Sequence, residues 1–183
     1  IDCYNTLWGG VLDEDGARNL KYGNKNIGLV YKNFQKFLKS LKEKGFILSL
    51  SSKNNEKSVW HTMKIRKMIL QKKDFISPKI NWLEKDLNIK KTLNNLSLRA
   101  EDTLFIDDNL IEIQKVKTSI NSINCIKFDV KTIFNSLSKD LRLKKFKVLK
   151  EDRIKYKQYH IKSNFEDLKE KKRSKTNNLT FMK

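Results

Sequence analysis

The sequence predicts an α/β fold in which a parallel sheet carries helices on both faces. Short apolar runs typical of buried strands alternate along the chain with longer segments whose apolar residues recur at helical spacing. Some of these runs end in polar or acidic residues, as residues 104–106 do at Asp107 and Asp108. Because strands separated by helices usually pair in parallel, the strands are expected to form one sheet between two helical layers.

Turn and capping residues bound the predicted elements. Residues 7–28 contain five of the six glycines and are predicted to form a loop. Gly45 stands where the first helix would end, and Asn54 or Asn55 can cap the second. The predicted helices cover about 27–41, 55–70, 82–96 and 110–118, and the predicted strands cover 46–51, 75–80, 103–106 and 123–128.

The chain is predicted to contain one core and one extension. Its 183 residues are enough for a single domain with a sizeable core, which we place at residues 1–143. Residues 144–183 are strongly charged, and their apolar residues are too sparse for a core of their own. They are predicted to form a basic, partly flexible extension, helical over about 151–169, that docks on the core and frays over about 171–178.

The net charge of +19 has two explanations. One is an acidic partner such as nucleic acid, an anionic membrane or an acidic protein. The other is the codon bias of an AT-rich genome, since Lys, Asn and Ile are abundant while Arg, Pro and Gly are scarce. We weigh codon bias at roughly two to one over a dedicated basic face. No nucleic-acid-binding module is present, which disfavours that class of partner.

Several absences in the sequence indicate a cytoplasmic protein. No apolar run approaches the ~20 residues of a membrane span, and no secretory signal is found. Cys3 and Cys125 lack the spacing of a zinc site or a disulfide framework, which suits a reducing compartment. Strand alternation is expected to point Cys3 away from its neighbour Asp2, and core packing is favoured for it at roughly three to one.

Polar side chains cluster where predicted strands end. Asp107 and Asp108 follow one strand, Ser52 and Lys53 follow another, and Asp2 lies near the N-terminus. Adjacent buried carboxylates are costly unless a cation lies between them, and Mg²⁺ prefers such oxygen ligands. A metal beside a further carboxylate indicates phosphoryl transfer. Taken alone, Asp107 and Asp108 have about even odds of being a loop start that caps the next helix rather than a metal site.

Taken in order along the chain, these segments resemble the four motifs of the haloacid dehalogenase (HAD) superfamily. They are closer still to its FkbH-like branch, and the resemblance covers nearly the whole chain. It implies a three-layer Rossmann-like fold with a minimal cap. A looser match lies in the tail at residues 151–156. The segments that carry the resemblance are Asn5-Thr6-Leu7-Trp8-Gly9-Gly10-Val11-Leu12 with Glu14-Asp15-Gly16, Ser52-Lys53-Asn54-Asn55, Asn81-Trp82 with Lys85, and Phe105-Ile106-Asp107-Asp108-Asn109 with Glu112.

The resemblance implies catalytic roles for the matching positions. Asp2 would attack phosphorus and become an aspartyl phosphate, and Lys85 would steady Asp2 and the developing charge. Ser52 would donate a hydrogen bond to the transferring phosphoryl group. The implied phosphate contacts are Thr6, Ser52, Lys53, Asn54 and Lys85, and the implied Mg²⁺ ligands are Asp2, Asp107, Asp108 and the backbone carbonyl of Tyr4.

The chain departs from the family pattern at two places. Tyr4 stands where the family has the Asp that acts as general acid and base. Tyrosine has an unperturbed pKa near ~10, which makes it a poor base at neutral pH, and its ring is expected to crowd the phosphate pocket. The central strand that should lead into Asp2 is reduced to Ile1, so an apolar slot is expected beside it.

Three hypotheses follow, and we rank them in this order. The first is an active enzyme that takes a glyceryl unit from 1,3-bisphosphoglycerate, a phosphorylated three-carbon substrate, and loads it onto an acyl carrier protein. The resemblance implies this reaction, and the short connection after Asp2 would leave the site open to a carrier. The second is a HAD-like scaffold impaired by Tyr4. The third, well behind, is a basic nucleic-acid-binding protein.

Overall fold

The computed structural model describes residues 1–144 and 150–180. It has the predicted α/β architecture, with helices on both faces of parallel strands. The helices are α1 (Leu12–Asn19), α2 (Asn26–Glu43), α3 (Glu56–Ile65), α4 (Lys85–Leu96), α5 (Leu110–Ser119), α6 (Ile133–Lys139) and α7 (Lys150–Thr180), and the strands are β1 (Ser51–Ser52), β2 (Lys79–Ile80), β3 (Leu104–Asp107) and β4 (Asn124–Lys127).

The first two residues join two pairs of parallel strands. Strand β1 pairs with β2, and β3 pairs with β4. The Ser51 amide donates to the Ile1 carbonyl at 3.0 Å, and the Asp2 amide donates to the Ile106 carbonyl at 3.0 Å. The order across the sheet is therefore β2, β1, Ile1–Asp2, β3, β4. This order places Asp2 between the carboxyl ends of β1 and β3.

Two apolar clusters cover the opposite faces of the sheet. One contains the inner faces of α2, α3 and α6, and the other contains those of α4 and α5. Ile106 belongs to the first cluster and Phe105 to the second, because successive strand residues point to opposite faces. An apolar cavity of about 340 Å³ lies beside Ile1, lined by segments 46–51 and 103–106.

The main error of the sequence prediction lies in the glycine-rich segment. Residues 7–28 were expected to be a loop, but they contain α1. Its first turn is acidic, which favours a helix N-terminus, and the Asp15 carboxylate accepts a hydrogen bond from the Val11 amide at 2.8 Å. Gly16, at φ 71°, kinks the helix.

The remaining differences concern element ends. Helix α3 ends at Ile65 rather than near residue 70, because the chain turns through left-handed Lys67. Helix α4 begins at Lys85 rather than near residue 82, and Leu83 and Leu87 are exposed. Helix α6 was not predicted, and α7 continues to Thr180, beyond the predicted end near residue 169. Among the helices of the described residues, none combines the length and the apolar character needed to span a membrane.

Candidate active site

Three carboxylates converge at the carboxyl edge of the sheet. Asp2 occupies the central position, Asp107 ends β3, and Asp108 follows it. One carboxylate oxygen from each residue lies within 4.8 Å of the other two. Asp107 is fully buried, Asp2 is buried, and Asp108 is half-buried. This group could hold a metal ion, and it contains the three side-chain ligands that the resemblance implied.

Lys85 is the cation that faces this group. It begins α4, and its Nζ lies 2.6 Å from Asp107 Oδ2 and 3.1 Å from Asp2 Oδ1. The Ser51 hydroxyl donates to the Lys85 carbonyl at 3.3 Å, which ties the start of α4 to β1. Burial alone would lower the pKa of Lys85, but the charges of Asp2 and Asp107 hold this pKa above its usual value. Lys85 therefore remains protonated beside the candidate nucleophile.

The site carries more negative than positive charge. Burial, together with the charge of Asp2, raises the pKa of Asp107, although Lys85 opposes this shift. Burial and the charge of Asp107 raise the pKa of Asp108. Among the described side chains, three carboxylates face one ammonium group in a low-dielectric setting, so a divalent cation with a preference for oxygen ligands fits the donor set.

The affinity of this site for Mg²⁺ is expected to weaken as the pH falls. Raised pKa values mean that Asp107 and Asp108 retain protons at a higher pH than ordinary aspartates, and these protons compete with the metal. Calorimetric titration with Mg²⁺ at neutral pH and at about pH 5 measures this effect. Equal affinities at the two pH values would contradict the assignment of these carboxylates as ligands.

The loop after β1 contributes a hydrogen-bonded pair of buried side chains. Asn54 donates from Nδ2 to Ser52 Oγ at 2.8 Å. Because Ser52 Oγ is the acceptor in this contact, its hydroxyl proton can be donated to another group. Asn54 Oδ1 and Thr6 Oγ1 are buried without a hydrogen-bond partner among the described residues. Buried polar atoms of this kind are costly unless a ligand or water satisfies them, which suits a site that binds a polar group.

Lys53 is engaged in ion pairs at the rim of the site. Its Nζ lies 3.0 Å from Glu84 Oε1 and 3.1 Å from Glu112 Oε1. These contacts connect the loop after β1 to the start of α4 and to α5. The sequence named Lys53 as a phosphate contact, and that role stays a prediction. The ion pair between Lys53 and Glu84 was not predicted, because the two residues lie 31 positions apart and local sequence patterns do not link them.

The opening loop is closed by Asn5. This residue has a left-handed φ of 48°, and its Oδ1 accepts a hydrogen bond from the Gly10 amide at 2.9 Å. Gly10 has a φ of 101°, and a Cβ there would lie 2.6 Å from an Asp15 carboxylate oxygen. Asn5 and Gly10 are therefore required by the backbone conformation of this loop. This requirement explains two residues of the segment 5–12 that carries the family resemblance.

Tyr4 packs into the core side of this loop. Its ring meets that of Trp8 edge-on at 6.3 Å between centroids. Burial and the nearby charge of Asp13 raise the pKa of Tyr4 to about 12. Its hydroxyl is therefore an even weaker base near neutral pH than an exposed tyrosine. Cys3 is fully buried in the larger apolar cluster, and burial raises its pKa, in keeping with the predicted core role.

Replacing Lys85 with Met is expected to destabilise the metal-free protein by about 3–5 kcal/mol, because Asp2 and Asp107 would be left as buried, unpaired charges. Urea denaturation in the presence of a chelator measures the free energy of unfolding. Lys117→Met, on the exposed side of α5, is the matched control and should change this value by less than about 0.5 kcal/mol. Similar stabilities for the two variants would show that Lys85 does not neutralise the pair.

Comparison with known proteins identifies a similar solved structure. The N-terminal part of the protein BF1531 from Bacteroides fragilis, containing a phosphatase domain complexed with Mg, superposes with a TM-score of 0.73 at 29% sequence identity. The match covers 80% of this chain and 39% of the solved chain, so this chain spans about two fifths of the length of that structure. No family model and no curated protein matches the sequence. The predicted α/β fold is therefore confirmed, and it is the fold of a solved segment that contains a phosphatase domain.

Proposed function

We propose that this chain is a Mg²⁺-dependent, HAD-type phosphatase or phosphotransferase domain in which Asp2 receives the phosphoryl group. The observation that carries the proposal is the convergence of Asp2, Asp107 and Asp108 around Lys85 at the carboxyl edge of a parallel sheet. Ligands of open α/β sheets bind at that edge. The phosphatase domain complexed with Mg in the similar solved structure supports the same assignment.

The geometry suggests how the chain's own residues would act. An oxygen of Asp2 would attack phosphorus, and the bond from phosphorus to the leaving oxygen would break as that oxygen takes a proton from water. Water would then attack phosphorus, release inorganic phosphate and regenerate Asp2. Lys85, 3.1 Å from Asp2, would stabilise charge on the phosphoryl oxygens, and Ser52 would donate a hydrogen bond to them. Bound Mg²⁺ would neutralise the carboxylates and the phosphate.

A phosphatase assay tests this proposal. Release of phosphate from p-nitrophenyl phosphate should require Mg²⁺, stop on addition of a chelator and resume when Mg²⁺ is restored. Because Tyr4 is expected to slow turnover, the assay should include Tyr4→Asp as a sensitised variant. Phosphate release that is independent of Mg²⁺, or none from either protein, would count against the proposed function.

The finer proposal is the FkbH-like reaction, in which the glyceryl unit of 1,3-bisphosphoglycerate is loaded as a thioester onto the thiol of an acyl carrier protein and the phosphate groups leave as inorganic phosphate. It is supported by the motif resemblance and by the short α1, which is the only helix between Asp2 and α2 in this described segment. Carrier proteins are typically acidic, and the charge of +19 is compatible with such a partner, although codon bias would produce it equally well. Mass spectrometry of a carrier bearing phosphopantetheine should show an added glyceryl group, and an unmodified carrier should show none.

The alternative is a HAD-like scaffold that binds Mg²⁺ and phosphate analogues without turnover. The raised pKa of Tyr4 favours it, since no carboxylate is found at the position where the family has its acid and base. The two candidates differ in one measurement. A scaffold would bind Mg²⁺ with inorganic phosphate or vanadate but release no phosphate from any ester, even over long incubation.

A further inference from the structure

Helix α7 has two opposed faces. One face contacts the core, where buried Ser163 accepts a hydrogen bond from the Ser77 amide at 3.0 Å and Tyr156 is half-buried. The other face carries four large apolar residues that are each more than half exposed. Their exposed fractions are 55% for Ile154, 68% for Ile161, 57% for Phe165 and 58% for Leu168. We call these four residues the α7 stripe.

The α7 stripe has the spacing of a coiled-coil seam. Ile154, Ile161 and Leu168 are separated by steps of seven residues, and Phe165 lies between the last two. At 100° per residue, the four side chains fall within about 60° of one another on the helix. In a heptad they occupy three d positions and one a position, while the other two a positions of this stretch are the polar residues Glu151 and Gln158. Such a narrow seam suits contact with one partner helix.

Lysines border the stripe on both sides. Lys155, Lys162 and Lys169 each follow one of the three d residues and occupy the e positions, and Lys157 occupies a g position. Lys162 Nζ also donates to Ser97 Oγ at 2.7 Å, and Lys169 Nζ lies 2.9 Å from Glu166 Oε1. The remaining g position in the described side chains is Asn164. The e and g positions of a coiled coil form the salt bridges that select the partner. Lys155 and Lys157, on opposite sides of the stripe, therefore favour negative charges on the partner.

We propose that the α7 stripe docks an acidic amphipathic helix of another protein. The partner would place apolar residues against the stripe and Glu or Asp opposite the flanking lysines. A second copy of this chain does not fit, because its own e and g lysines would face lysines. An anionic membrane fits poorly, because an interfacial helix needs an apolar face of about 100° or more and the opposite face of α7 is docked on the core.

Fluorescence anisotropy with designed peptides tests this proposal on the full chain. The probe is a labelled helical peptide of about four heptads with Leu at a and d and Glu at e and g, and its partner probe has Lys in place of each Glu. The Glu peptide should bind in the micromolar range, and the Lys peptide at least about tenfold more weakly. The double variant Ile161→Ser with Phe165→Ser should weaken binding of the Glu peptide about tenfold, with the fold intact because both side chains are exposed.

Charge reversal makes the test specific. Changing Lys155 and Lys157, which flank the stripe on its two sides, to Glu should weaken the Glu peptide and strengthen the Lys peptide, each by about tenfold. The matched control reverses two exposed lysines elsewhere, Lys117 and Lys131, and carries the same net charge.

Four results would overturn the proposal. They are equal binding of the two peptides, binding that the stripe variants leave unchanged, self-association of the chain through α7, and stripe-dependent binding to phosphatidylcholine vesicles containing phosphatidylserine.

Discussion

Replacing Asp2 with Asn is expected to abolish Mg²⁺-dependent phosphate release, with a loss of about a thousandfold or more. Asn has nearly the same shape but lacks the nucleophilic carboxylate, and it removes one of the three acidic groups around the metal position. The phosphatase assay should be run in both the Tyr4 and the Tyr4→Asp backgrounds, so that a low starting rate does not hide the loss.

The matched control for this variant is Asp102→Asn, which changes an exposed carboxylate that pairs with Arg99 before β3. Its rate should stay close to that of the parent protein. If Asp2→Asn retained the parent rate in either background, the phosphoryl group would have to be accepted elsewhere, and the assignment of Asp2 as nucleophile would be wrong.

Replacing Tyr4 with Asp is expected to raise phosphate release by about 10²–10⁴-fold, the contribution typical of general acid–base catalysis. At a pKa of about 12, Tyr4 does not accept a proton from water at neutral pH, whereas a carboxylate there would. The smaller side chain would also leave space beside Trp8.

Tyr4→Phe separates these two effects. It removes the hydroxyl while retaining the ring, so it should not raise the rate. A protein with Tyr4 that already turns over as fast as the Tyr4→Asp variant would contradict the view that this position limits catalysis.

The sequence predicts this fold well where local pattern and burial agree. The run before Asp107 alternates between the two apolar clusters, and its abrupt acidic end marks the edge of the sheet that binds ligands. Lys85 could be predicted as a site residue only because its segment lies in the same order along the chain as the matching family motif. A single lysine in a lysine-rich sequence would not indicate a catalytic role. The structure places it against both Asp2 and Asp107.

Other features depend on contacts that sequence periodicity does not contain. Leu83 has helical spacing with Leu87, but the Asn81 side chain accepts a hydrogen bond from the Leu83 amide and holds that residue in a turn before α4. The ion pair of Lys53 with Glu112 joins residues 59 positions apart, so only the folded chain shows it. Helix α1 was missed because its glycine was taken to mark a loop rather than a kink.

The most direct test of the central claim is a crystal structure of the protein soaked with Mg²⁺ and beryllium fluoride. We expect fluoroberyllate bonded to an Asp2 oxygen, with Ser52 and Lys85 within hydrogen-bond distance of its fluorines. We also expect Mg²⁺ between the carboxylates of Asp2 and Asp107. An unmodified Asp2 in crystals that contain both reagents, or Mg²⁺ bound away from these carboxylates, would contradict the proposed phosphoryl-transfer site.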